Sequence, residues 1–144
     1  MRGRVRLFGY ITVALFFIED ISAQRIANAS LKVDEIVLDG KLNELEWGSA
    51  EVISDFTQFS PNPGEESTQR TELRILYDDE AIYVGAQMFD TAPDSILMQY
   101  SQRDQIRNSD EFGIMFSPYN DGINGVAFAT TPAGILVDMN VSPT

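Results

Sequence analysis

From Thr71 to Phe89 the chain repeats with a period of two. Leu73, Ile75 and Tyr77 interleave with Glu72, Arg74 and Leu76. The triplet Asp78-Asp79-Glu80 interrupts, and Ile82, Val84, Ala86 and Met88 then interleave with Tyr83, Gly85, Gln87 and Phe89. A period of two sends successive side chains to opposite faces of an extended strand and cannot serve the 3.6-residue turn of a helix. Two such runs about an acidic turn predict a β-hairpin. Three shorter runs follow: Phe112, Ile114 and Phe116; then Val126, Phe128 and Thr130 behind the turn signals Asp121-Gly122 and Asn124-Gly125; then Ile135, Val137 and Met139 behind Pro132-Ala133-Gly134. Strands at this spacing, with no long helical period, predict an all-β fold, an antiparallel β-sandwich or jelly roll. Of the 144 residues, 44% are hydrophobic and 10% aromatic, enough for a core even at a net charge of −12.

Ahead of the hairpin the signals are weaker. Glu35-Ile36-Val37-Leu38, stopped by Asp39-Gly40, reads as a strand entering a turn. A brief helical turn is expected next, with Asn43 as cap and Glu46 completing a capping box, which turns Leu42, Leu45 and Trp47 toward one core. Residues 52–59 alternate loosely and end at Ser60-Pro61-Asn62-Pro63-Gly64, a loop that cannot continue a ladder. The last run stops directly before Val141-Ser142-Pro143-Thr144. A sandwich needing more strands than these is expected to continue past that point, so the sequence reads as an incomplete domain over residues 34–144.

The first 24 residues have a different composition. Arg2, Arg4 and Arg6 precede an apolar stretch from Leu7 to Ile18, and Ile21-Ser22-Ala23 offers a small-residue cleavage site. This is the layout of a secretory signal peptide. The apolar stretch is about a dozen residues against the roughly 20 a spanning helix needs. Removing residues 1–24 leaves seven basic residues against 20 acidic ones, a net charge of −13, behind a polar lead-in at residues 25–33. With no cysteine, such an exported domain rests on its core alone, which points to the bacterial periplasm, outer membrane or extracellular space.

The absent residue types exclude whole classes of chemistry. Without histidine or cysteine the chain has no Ser-His-Asp triad, thiolate nucleophile, imidazole or CxxC zinc site, or disulfide. The acidic balance has the wrong sign for tracking a phosphate backbone, so nucleic acid is not an expected partner. Carboxylates, hydroxyls, amides, Lys, Arg and aromatic faces remain.

Several separated motifs, in order, resemble a known family. Val37-Leu38-Asp39-Gly40-Lys41-Leu42-Asn43-Glu44-Leu45-Glu46-Trp47 resembles the opening of family 9 carbohydrate-binding modules. Phe56-Thr57-Gln58-Phe59-Ser60-Pro61-Asn62-Pro63-Gly64, the stretch from Arg70 to Gly85, Arg103-Asp104, Ser109-Asp110-Glu111-Phe112 and Pro132-Ala133-Gly134 are similar to one branch of it. That branch stands at the N-terminus of large envelope proteins, many from Bacteroidetes and related bacteria, whose C-terminal portion is thought to be an outer-membrane β-barrel. The resemblance covers roughly residues 34–140. It implies a jelly-roll sandwich that binds a polysaccharide or oligosaccharide without catalysis, in a family often fused to glycoside hydrolases. Xylan-associated members clamp the sugar between two tryptophans, whereas this chain has one, Trp47, which matches the opening motif.

Sugar modules stack a pyranose on an aromatic ring and hydrogen-bond its hydroxyls. Tyr100, Arg103, Asp104 and Asp110, grouped between two predicted strands, are the candidate carbohydrate-binding residues. An ion pair of Arg103 with Asp104 or Asp110, pinning the loop, is the plainer use of the same groups. Trp47 sits at near-helical spacing from Leu42 and Leu45, which favours burial over stacking. Tyr119-Asn120-Asp121-Gly122-Ile123-Asn124-Gly125 sets oxygen ligands beside glycines, and family 9 modules often hold calcium, so Ca2+ is the candidate cofactor. EF-hand spacing is absent, and hairpin turns account for the same residues. For glycoside hydrolysis the carboxylate pairs are Glu44/Glu46, Glu65/Glu66 and Asp78/Asp79. Asp90-Thr91-Ala92 falls one residue short of the Asp-Thr-Gly loop of aspartic proteases. In so acidic a chain close pairs arise without a catalytic role, and no catalytic residue is assigned.

Overall fold

The computed structural model describes residues 26–142; the leader predicted over residues 1–24 lies outside them. In chain order the elements are β1 (Ser30–Leu31), α1 (Leu45–Ser49), β2 (Thr71–Tyr77), β3 (Ile82–Met88), a 3-10 turn at Pro93–Ser95, β4 (Phe112–Phe116), β5 (Gly125–Thr130) and β6 (Leu136–Val141). The fold is all-β with one five-residue helix, arranged as two three-stranded sheets in the orders β1-β2-β3 and β4-β5-β6. Pairing is antiparallel throughout except where β1 lies parallel to β2. The hairpin and the three later strands stand where the period of two predicts them.

The β2–β3 turn forms because Asp78 satisfies its amides. Its Oδ1 accepts from the N–H of Glu80 at 2.9 Å and of Ala81 at 2.8 Å, the Asx-turn habit of a short carboxylate. Its Oδ2 accepts from the Tyr83 hydroxyl at 3.0 Å and lies 3.0 Å from Lys32 Nζ. Lys32 Nζ is also 5.1 Å from the centre of the Tyr83 ring, and the Lys32 N–H donates to Tyr77 O at 2.8 Å. Asp78 therefore ties β1 to the hairpin. The Lys32 ammonium and the turn amides hold its carboxyl well below the usual carboxylate range, while Lys32 and Tyr83 are both pushed up by hydrogen bonding to Asp78.

Register puts Leu73 opposite Ala86, Ile75 opposite Val84 and Tyr77 opposite Ile82 on the face predicted to be apolar. The tightest packing is nonetheless on the reverse face. There Leu76, fully buried and opposite Tyr83, packs with Trp47 and Ala50, and Ile36, Leu42 and Tyr83 close around them. Burying one such leucine contributes about 1.5–3 kcal/mol. The helix reaches this face because Gly85 presents no side chain: a Cβ there would stand 2.7 Å from Leu42 Cδ2 and 2.9 Å from Trp47 Cζ3.

In the second sheet Phe112, Ile114 and Phe116 share a face with Val126, Phe128 and Thr130. The rings of Phe116 and Phe128 meet edge to face at 6.2 Å. Strand β6 continues this face with Leu136, Asp138 and Asn140, while buried Val137 points to the other side, opposite Ala129.

Four local expectations are corrected. Residues 35–38 form no strand: the Val37 N–H donates to Glu44 Oε1 at 3.1 Å instead of to a neighbouring strand, and Val37 and Leu38 are exposed. Residues 52–59 contribute isolated bridges, Ile53 to Leu73 and Thr57 to Glu66, because the following Pro61 and Pro63 leave no ladder to extend. The capping box does not form. Glu44 occupies the N-cap without a side-chain cap bond, and Glu46 Oε1 accepts from the Asp34 N–H at 2.9 Å. Leu45 points outward, 90% exposed, because a five-residue helix turns only Trp47 and its C-cap Ala50 onto the sheet.

Candidate functional site

The segment from β3 to β4 folds into a loop stapled at its base. The Asp110 N–H donates to Leu97 O at 2.8 Å, the Leu97 N–H donates to Asp110 Oδ2 at 3.0 Å, and the Ser109 hydroxyl adds a bond to the same carbonyl at 3.0 Å. Between these posts the chain turns at Gln102–Gln105, where the Gln105 N–H donates to Gln102 O at 3.2 Å. Asp104 takes φ +62°, a left-handed conformation that aspartate tolerates better than most residues.

That turn docks on the outer edge of β6. The Asp104 N–H donates to Leu136 O at 3.0 Å, and the Asp138 N–H donates to Asp104 Oδ1 at 3.2 Å. The Asp104 side chain thus substitutes for a neighbouring strand at this position. Arg103 completes the junction, with Nη2 bonded to Asp138 Oδ1 and Nε 3.7 Å from Asp104 Oδ2. All three side chains stay about half exposed, so the guanidinium and both carboxylates retain donors and acceptors facing water.

Three residues before Arg103, Tyr100 is 76% exposed. An exposed ring is a group that can stack on an apolar ring face, and a guanidinium fixed between two carboxylates is one that can hydrogen-bond to hydroxyls.

Of the four candidate residues, the structure brings Arg103 and Asp104 into one cluster and leaves Tyr100 free beside it in sequence. Asp110 is placed elsewhere, at the loop base with Leu97. The ion pair weighed from sequence forms between Arg103 and Asp104, but the closer partner is Asp138, which the sequence did not single out. The available signal was a carboxylate inside a strand, in register with Phe128.

The other candidates have local roles. Trp47 is 4% exposed, and its Nε1 is buried without a partner, as is Glu44 Oε2. Its ring is therefore part of the core and offers no stacking face. Beside it Glu72 bonds to both Arg70 and Arg74, and Arg70 lies 5.0 Å from the centre of the Phe89 ring. Asp90 Oδ1 accepts from the Ala92 N–H at 2.6 Å, and Thr91 Oγ1 accepts from Gln69 Nε2 at 2.9 Å. In the 119–125 loop Asp121 accepts from Ile123 N, Asn124 N and Asn124 Nδ2, which holds its carboxyl below the usual range. These are turn bonds. Among the described residues no group of three or more acidic side chains is placed to hold a metal, and no helix is long and apolar enough to cross a membrane.

No protein-family model matches the chain, and no curated protein or solved structure does either.

Proposed function

We propose that this chain is a non-catalytic carbohydrate-binding domain of an exported bacterial protein, built as a jelly-roll β-sandwich of the family 9 type. The single observation that carries the reading is the site at the β6 edge. Tyr100 supplies an exposed ring, Arg103 and Asp104 follow it in the same loop, and Asp138 of β6 holds them, so that fixed hydrogen-bonding groups stand close behind the ring in sequence. Sugar recognition needs both kinds of contact at once. The ordered motifs, the leader-like N-terminus and the strand-rich fold support the same reading.

Isothermal titration of the chain against xylo-oligosaccharides, cello-oligosaccharides and bacterial surface glycans tests the proposal. Saturable heats that vanish in Tyr100→Ala support it, and flat heats against all three classes remove it.

A second reading, an interaction domain carried beside an outer-membrane β-barrel, is favoured by apolar side chains left open on both sheets, among them Met88, Met115 and Met139. Binding of this chain, expressed by itself, to a separately purified outer-membrane β-barrel tests it, and no binding removes it.

A further inference from the structure

The reverse face of the β2–β3 hairpin is covered at one end and open at the other. Register places Leu76 opposite Tyr83 at the covered end, Arg74 opposite Gly85 in the middle, and Glu72 opposite Gln87 at the open end. Leu76 is fully buried under Trp47, and Leu42 and Trp47 press against Gly85. Beyond Trp47 the face opens into a cavity of about 380 Å³, walled by Glu72, Arg74, Gln87 and Phe89 and bounded by Leu42, Trp47 and Gly48. This wall is not apolar core laid bare. Its strand residues are charged or amide, where the front face of the same sheet carries Leu73, Ile75 and Val84, and the apolar cover of the reverse face, α1, is already in place.

The hydrogen-bonding capacity left over in the cavity is nearly all of one kind. Glu72, with its side chain 12% exposed, has both oxygens engaged: Oε2 accepts from Arg74 Nη2 at 3.0 Å and Oε1 accepts from Arg70 Nη2. A guanidinium carries five N–H donors and no acceptor, so each arginine keeps donors beyond the one given to Glu72. Arg70 stands at the rim, its Cζ 5.0 Å from the centre of the Phe89 ring. It also borders a separate cavity together with Asp55, so Arg74 is the guanidinium committed to this one. Trp47 adds an Nε1–H that is buried without a partner. Apart from Glu72, only Gln87 brings a side-chain acceptor.

We infer that this cavity binds a small acidic ligand, a carboxylate carried on a single hydroxylated ring, as in a hexuronate. The carboxylate follows from the surplus of donors and from the guanidinium fork, whose parallel N–H groups match two carboxylate oxygens. The size follows from the volume, which stands near the lower end of the roughly 300–1,000 Å³ that small-molecule sites occupy. The hydroxylated ring, to which Gln87 can both donate and accept, rests on the carbohydrate reading above; the carboxylate does not. None of the residues in this cavity belongs to the Arg103 cluster at the β6 edge.

The chain's one tryptophan lies in the wall, so its fluorescence reports occupancy. Titration of the full chain with sodium glucuronate, sodium galacturonate and glucose at constant ionic strength tests the inference. The expected result is a saturable change in Trp47 emission with at least one uronate, and binding at least tenfold weaker for glucose. Arg74→Gln should lower uronate affinity at least tenfold. Gln87→Ala, which alters an exposed side chain, should lower it several-fold with unchanged circular dichroism, and so carries the test if Arg74→Gln fails to fold. Tyr100→Ala should leave it unchanged. Uronate binding beside flat heats with neutral oligosaccharides supports this cavity and removes only the β6 edge. No response to either uronate, equal affinity for glucose, or undiminished uronate binding in Gln87→Ala would each overturn the inference.

Discussion

The six-membered ring of Trp47 lies over Gly85, so close that a β-carbon on Gly85 would stand 2.9 Å from Trp47 Cζ3. That contact brings α1 onto the reverse face of the hairpin and buries Leu76 beneath it. Gly85→Ala forces an atom into filled space, and an overpacked site of this kind costs about 1–3 kcal/mol. Urea denaturation should show the unfolding free energy falling by that amount, as a lower midpoint at an unchanged slope.

Trp47→Ala removes the largest member of the same cluster and should cost about 3–5 kcal/mol. Because Trp47 is the chain's one tryptophan, its fluorescence reports the cluster directly. The native emission should be blue-shifted and shift to the red in step with unfolding. A red-shifted native spectrum would contradict the burial described.

The Asp78 junction predicts a pH dependence with a defined sign. Asp78 is held below its ordinary value of 3.8 in the folded state, so its contribution is present above that value and is lost as pH falls toward the folded one. Lys32 and Tyr83 are raised, so their contributions are present below their ordinary values of 10.5 and 10.0 and are lost as pH climbs through the folded values. Wild type should melt above Asp78→Asn at pH 7. The gap should narrow below about pH 4 and again above about pH 10, as measured by thermal melts across pH.

Arg103 and Asp138 are half exposed, so their ion pair is screened and worth little to stability. A double-mutant cycle of Arg103→Ala with Asp138→Ala should return a coupling of about 0.2–1 kcal/mol. If Arg103 contacts sugar, its replacement should affect binding far more than folding.

Much of the fold was legible because a period of two is a local signal: β2 to β6 stand on residues whose alternation marks them. What failed was decided by partners the local pattern does not name. Residues 35–38 look like a strand, yet the Val37 amide is answered by Glu44 rather than by a ladder. The apolar face of the hairpin was read correctly as a face, but the deepest packing lies behind it, because one glycine admits a tryptophan from 38 residues earlier. At the candidate site the Arg103-Asp104 pair was visible as a dense polar loop. Asp138 was not, because alternation through Ile135, Val137 and Met139 assigns it to solvent, and only the docked turn reveals its partner.

The most direct measurement is titration of the chain with plant and bacterial-surface oligosaccharides, beside Tyr100→Ala and Arg103→Ala at matched stability. Wild type should bind at least one class saturably, with both variants losing most of that affinity while melting normally. Undiminished binding in both variants, or no binding by wild type to any class, would contradict a carbohydrate site at the β6 edge.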